Sequence, residues 1–434
     1  MRQSFNRTVG TVFAMFLLFP LAHAQTSMTL ERCVEAALQD SPLLEARRAE
    51  TRAARHGVDA MRGERLPSLS LNGSYQYQSK TQEITITPPV PNAQATTIEF
   101  GDGDAVDANL TLRAPLFAGG SLRARQRAAL HASEAAGFDV ASDSLEVLYQ
   151  VRRAYFSALG AEENLRTVET LISRLKRHVA QVQTAIDNGV STPEALVAAK
   201  ARLVEARAQR EQASAIMAVA QQQLGHAIGQ PDQRIAPDGR LDQPLPQVER
   251  DAVSFNRRPS LQAVDRRLER LDAERRAVEG AFWPMVNAQA SYHYADPGID
   301  PVANEWMHYG TAGVQLTWTL WDWNTRSHRS QQVAATSDAL LRQRDRITES
   351  FTAAEANAQR QMEAARRAME LSEERLELET ETLRYTRARY EQGRATETEY
   401  LDRQDALSEA ETALARARVN LRLAEVDVLK ARGY

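Results

Sequence analysis

Cysteine is nearly absent. Of 434 residues only Cys33 carries a thiol, so no disulfide can form within the chain in any compartment. Cys33 stands in the apolar series Leu30, Cys33, Val34, Ala37 and Leu38, which predicts a small buried core residue rather than a reactive thiol. An excess of basic charge is also missing. The formal net charge is −4, which excludes the electrostatic footprint of a nucleic-acid binder. Beyond residue 24 there is no apolar run long enough for a transmembrane helix, so a membrane span would have to be built of strands. The histidines are scattered: His226, His293 and His308 lack neighbours at metal-ligand spacing. No phosphate-cradling glycine loop and no nucleophile motif occurs, and the many Glu and Asp pairs are what helices this charged hold by chance. The sequence thus predicts no catalytic, cofactor-binding or metal site, and a protein that is not an enzyme.

The first 24 residues read as a secretory signal peptide. Arg2 and Arg7 precede the apolar stretch from Val9 to Leu21, and Ala22-His23-Ala24 has the small-x-small cleavage pattern. Cleavage there removes two arginines and no acids, taking the net charge from −4 to −6.

Helix breakers are the next absence. From 121 to 187 there is no proline and glycine only at Gly137 and Gly160; from 325 to 392 there is neither. A helix of that length is ~100 Å long. In the first, Val147, Val151, Ala154, Ala158, Ala161, Leu165, Val168, Ile172, Leu175, Val179, Val182 and Ile186 keep an unbroken 4-3 spacing. Leu196, Ala199, Leu203, Ala206, Ala213, Met217, Ala220 and Leu224 continue it, with Arg210 as the one break. Tyr400, Leu407, Ala410, Leu414, Ala417, Leu421, Ala424 and Val428 do so near the C-terminus, broken at Arg403. A period of 3.5 residues predicts helices packed side by side.

The chain is also written twice. Gly189-Val190-Ser191-Thr192 returns as Gly393-Arg394-Ala395-Thr396, 204 residues on, and Leu116-Phe117 as Leu320-Trp321. Pro42 and Pro67 return as Pro259 and Pro284 at a shift of 217, which puts a 13-residue length difference in the polar, proline-rich stretch between 79 and 106, expected to be a loop. The repeats are drawn as 25–248 and 249–434. In each, a glycine suited to the αL position ends the long helix and a threonine suited to an N-cap starts the return, giving antiparallel hairpins with tips at 189–192 and 393–396.

Each repeat also holds two runs of strict alternation, at about 68–78, 106–115, 285–294 and 311–321. Leu69, Leu71, Tyr75 and Tyr77 alternate with Ser70, Asn72, Ser74 and Gln76, and the others behave alike. Ten residues are what a tilted strand needs to cross a bilayer. Aromatics are only 6% of the chain, yet Tyr75, Tyr77, Phe117, Tyr292, Tyr294, Trp318, Trp321 and Trp323 gather near the run ends, where an interfacial girdle against lipid would place them. A soluble sheet with one wet face alternates in the same way. Four strands cannot close a barrel in lipid, so several copies must share one; a trimer supplies 12 strands and a dimer eight, and strand count alone does not choose between them.

Ser41-Pro42, Arg258-Pro259-Ser260, Ala114-Pro115-Leu116-Phe117-Ala118-Gly119-Gly120 and the two Gly-x-x-Thr tips, in this order, resemble the TolC-like outer membrane factor family over nearly all of the chain beyond the signal, from Leu30 to about Arg432. The resemblance implies an α+β fold: helical hairpins forming a periplasmic α-barrel, and four strands per protomer in a shared 12-stranded β-barrel. It further implies a homotrimer in the outer membrane of a Gram-negative bacterium. This would be the passive exit duct of a tripartite efflux or secretion system, fed by an inner-membrane pump through a periplasmic adaptor. The adaptor would dock on Gly189, Val190, Ser191, Thr192, Gly393, Arg394, Ala395 and Thr396. Glu399 and Asp402, three residues apart on one helical face, would ring the periplasmic aperture. Tyr390 matches an aromatic that latches the aperture, but Ala395 stands where the latch arginine is expected and Ala195 where an aspartate is. A soluble periplasmic coiled-coil scaffold or adaptor is the alternative; it leaves the strands without a role.

Overall fold

The computed structural model describes residues 26–80, 82–87, 89–90, 94–100, 103–242, 245, 257–300 and 305–434. The expected signal peptide and the boundary drawn at 248/249 lie outside them.

Two short helices open the chain. Thr29 accepts from the Arg32 N–H to start α1 (Leu30–Asp40), and Ser41 caps α2 (Pro42–Gly63), whose proline sits where a missing N–H costs nothing. Cys33 is fully buried against Ala37, Leu44, Val151 and Tyr155, and burial pushes its thiol up to about 11, as befits a core residue. A two-stranded parallel pair, β1 (Thr26–Met28) with β6 (Ile235–Pro237), closes over this cluster.

The main sheet is antiparallel in the order β2 (Ser68–Tyr77), β5 (Asp104–Phe117), β7 (Met285–Asp296) and β8 (Met307–Thr317). Its register sorts the two faces cleanly. Across one face run Leu71, Leu110, Tyr292 and Gly310, then Leu69, Leu112, Ala290 and Ala312; across the other run Ser70, Thr111, Ser291 and Thr311, then Asn72, Asn109, His293 and Tyr309. Polar side chains bond across the second face: Thr111 to Ser291 at 2.9 Å, and Asn72 Nδ2 to Asn109 Oδ1 at 3.0 Å. The apolar face is bare, with Leu71 78% and Val314 68% exposed.

Two expectations are corrected. The stretch between 79 and 106 is not all loop, since β3 (Gln82–Ile86) and β4 (Thr96–Phe100) pair as an antiparallel hairpin. The fourth strand runs from 307 to 317, not 311 to 321. Its end is set by its partner: Thr317 pairs with Met285, and the preceding Pro284 has no N–H to continue the ladder. Its first residues escape the alternation because His308 and Gly310 fall on the apolar face.

The long helices are α3 (Ser121–Asp187) and α6 (Thr325–Glu391), 67 residues each, with returns α4 (Pro193–Ala227) and α7 (Glu397–Arg432). A further helix, α5 (Pro259–Gly280), packs with α2 beside the sheet-proximal halves, giving the lateral order α2, α3, α5, α6. In the distal halves the order is α4, α3, α7, α6. None of the twelve 4-3 positions of α3 is exposed, and all eight of α7 are buried. The breaks at Arg210 and Arg403 both face solvent. Helix α6 differs: Ala358 and Thr386 are its only buried residues, while Leu371, Leu378 and Tyr385, seven apart, stand 65%, 59% and 60% exposed.

The turns into the long helices show the doubled plan in backbone terms. Gly119 and Gly120 have φ of +58° and +80°, and Trp323 and Asn324, 204 residues on, have +54° and +61°. Only the first turn needs glycine for space. A Cβ on Gly119 would lie 2.1 Å from the Gly280 carbonyl oxygen.

Candidate functional site

Both hairpin tips are built alike. Gly189, at φ +74°, donates to the Ile186 carbonyl and Val190 to that of Ala185; Gly393, at φ +68°, donates to Tyr390 and Arg394 to Arg389. These bond pairs close the last helical carbonyls in the Schellman manner. Thr192 then caps α4 by accepting from Ala195 at 3.3 Å, and Thr396 caps α7 by accepting from Glu399 at 3.1 Å. The first tip offers solvent short side chains and backbone, with Val190 78% exposed, and the second adds the exposed Arg394. Ala195 occupies a capping position with no side-chain polarity to offer.

Just behind the second tip, the acids expected at the aperture also have work within the protomer. Glu399 completes a capping box, its Oε2 accepting from the Thr396 N–H at 2.9 Å. Asp402 lies 3.7 Å from Arg202 of the other hairpin, which also meets Asp405 at 3.3 Å and Glu205 at 3.2 Å. Burial raises the Asp405 carboxyl pKa and Arg202 opposes the rise.

Tyr390 is tied within the protomer. Its hydroxyl donates to Glu397 Oε2 at 2.5 Å, its ring stacks on Tyr400 with centroids 5.0 Å apart, and burial with the Glu397 contact raises its pKa. The other Glu397 oxygen meets His178 Nε2 at 2.5 Å. His178 is 2% exposed, and its Nδ1 is buried without a partner. One carboxylate thus ties α3, α6 and α7 together near the tips. His178 and Glu397 were missed in the sequence. The available signal was a histidine on the buried side of α3, three residues past Leu175.

The expected aromatics divide between the two ends of the sheet. Tyr75, Tyr77, Tyr292 and Tyr294 lie on the apolar face toward the ends away from the helices, and Trp306, not singled out above, stacks on Tyr294 at 4.7 Å. Phe117 ends β5 at the helical side. Trp318, Trp321 and Trp323 follow β8 on that side, where Trp318 Nε1 donates to the Phe282 carbonyl at 3.1 Å and exposed Trp283 stands nearby in the chain. One grouping has the side chains of a metal site: His131 lies 3.2 Å from Glu134 and 3.1 Å from Glu269. Arg266 reaches both carboxylates, at 3.4 and 2.5 Å, and supplies the cation itself.

The family model described as "Outer membrane efflux protein" matches residues 33–230 and 254–434. The chain belongs to the outer membrane efflux protein family. This is a family of channels, so the protein resides in the outer membrane of a Gram-negative bacterium, with its helices in the periplasm. Among curated relatives, this outer membrane efflux protein is 27% identical over 209 residues to the outer membrane protein TolC of Vibrio cholerae serotype O1, covering 48% of the chain and 45% of that protein. It is 28% identical over 156 residues to the alkaline protease secretion protein AprF of Pseudomonas aeruginosa, covering 36% and 30%. The chain thus spans less than half the length of either relative in these matches. Its fold is similar to that of CusC (TM-score 0.79, 16% identity, 99% of each chain) and of VceC from Vibrio cholerae (TM-score 0.73, 19% identity, 93% and 96%).

Proposed function

We propose that this protein is the exit duct of a tripartite efflux or secretion system: a homotrimer that takes solutes from an inner-membrane pump through a periplasmic adaptor and conducts them outward without chemistry. One observation carries this reading: both layers end on unlike open edges. Among the described residues the outer edges of β2 and β8 have no strand partner, and the helical layer leaves α6 bare on one side and α2 and α4 on the other. An open sheet edge in lipid strands its N–H and C=O groups, and unlike edges close head to tail into a ring. The direction fits, because β8 runs opposite to β2 and would pair antiparallel with the next copy's β2. Exposed Val197 and Val204, seven apart on α4, offer the bare α6 stripe a partner of the same period. Three protomers give twelve strands, enough for an open lumen.

Within that ring each of the two repeats supplies a sixth of the wall, the tips 189–192 and 393–396 form the adaptor's docking surface, and the aromatics at both sheet ends form the lipid girdles. Glu399 and Asp402 line the aperture, where six carboxylates repel one another and attract cations. In planar bilayers, Glu399→Gln with Asp402→Asn is expected to weaken block by a trivalent cation added on the periplasmic side at least tenfold and to lower cation selectivity. Glutamine keeps the capping-box acceptor, so assembly should survive. Unaltered block would remove these acids from the aperture; a wild-type protein that conducts nothing would remove the duct.

A further inference from the structure

The polar face of the sheet is almost free of formal charge, and its few ionisable groups lie at two levels. Of the residues on that face of β2, β5, β7 and β8, only Asp107 and Arg113 are charged, with His293 the one imidazole. Asp107 stands toward the loop end of β5. Its carboxylate lies 3.0 Å from His293 Nδ1 and accepts from Asn109 at 3.4 Å, and the imidazole is stacked flat on Tyr309 at 4.8 Å and 5°. Arg113 stands toward the helical end, where its guanidinium reaches Gln289 at 3.4 Å. Six residues along one strand separate the two by ~20 Å.

We propose that Asp107 and Arg113 set the ion selectivity of the β-barrel as two belts of opposite charge, the positive belt at the periplasmic end and the negative belt at the exit. The inference rests on the ring reading above, which turns the polar face to the lumen and repeats each charge three times. The spacing makes the belts act separately, because at physiological salt a charge is screened within ~8 Å. A solute on its way out meets three guanidinium groups first and three carboxylates second. An anion is drawn into the barrel and opposed at its exit; a cation meets the reverse order. Charged rings act on permeation in this way wherever the wall between them carries little charge, and here it is lined by Ser, Thr and Asn, with His293 held on Asp107 and Tyr309 stacked on that imidazole. The hydrogen bonds to Asn109 and Gln289 and the contact with His293 hold the charged groups against the wall rather than across the pore.

The test is the potassium-to-chloride permeability ratio of single channels in a salt gradient, for the wild type, Asp107→Asn, Arg113→Gln and the double variant. The first substitution is expected to lower the ratio severalfold, the second to raise it severalfold, and the double variant to return it toward the wild type. Both substitutions keep polar side chains of similar size, and only assembled, conducting channels are scored. Conducting channels whose ratio is unmoved by either substitution would overturn the belts while leaving the duct intact. A wild type that forms no conducting oligomer would overturn the duct, and the belts with it.

Discussion

Gly119→Val is expected to abolish assembled protein in the outer membrane. The residue sits at φ +58°, and a Cβ there would lie 2.1 Å from the Gly280 carbonyl oxygen and 2.7 Å from Trp283 Cβ. Neither neighbour is the far end of a flexible side chain, so the β5-to-α3 turn and the end of α5 must separate. A branched side chain in left-handed backbone adds its own strain to this overpacking, for a total of about 3 kcal/mol or more. The damage falls where sheet meets helices, so both layers lose their alignment. Membrane levels of heat-stable oligomer, read on a gel, check this; wild-type levels would contradict it.

The same substitution at the tips should do the opposite. Gly189→Val and Gly393→Val also place a branched residue at positive φ, but no heavy atom lies within 4 Å of either added Cβ. The cost is then backbone strain alone, about 1–2 kcal/mol, localised where a turn can yield without disturbing the coiled core. On the docking proposal, assembled oligomer stays at wild-type levels while export falls at least tenfold in cells that rely on this duct. Cross-linking from the tip to a periplasmic partner is lost with it. Full export by either variant would leave the tips as simple helix reversals.

The contrast between the turn and the tips separates what local sequence dictates from what only the packed fold brings together. Helix α3 is legible because a 4-3 apolar spacing without breakers has one physical reading, α6 because it holds neither proline nor glycine, and the tips because a glycine followed three residues later by threonine satisfies both helix ends. Gly119 was legible as a motif but not as a collision, since its neighbour Gly280 is 161 residues away. The end of β8 was misread for a similar reason: alternation continues past Thr317, but hydrogen bonding stops where the partner strand runs into Pro284. The His178, Glu397 and Tyr390 tie depends on which faces of α3, α6 and α7 meet, which periodicity within each helix leaves open. The resemblance makes Glu399 an aperture acid, and Thr396-x-x-Glu399 also spells a capping box.

In the proposed ring, unlike edges close three protomers on one another. The most direct measurement is the native mass of the purified protein in mild detergent. The ring predicts a complex of three chains that requires detergent for extraction. A monomer or dimer under those conditions, or a chain that leaves the periplasm without detergent, would contradict it.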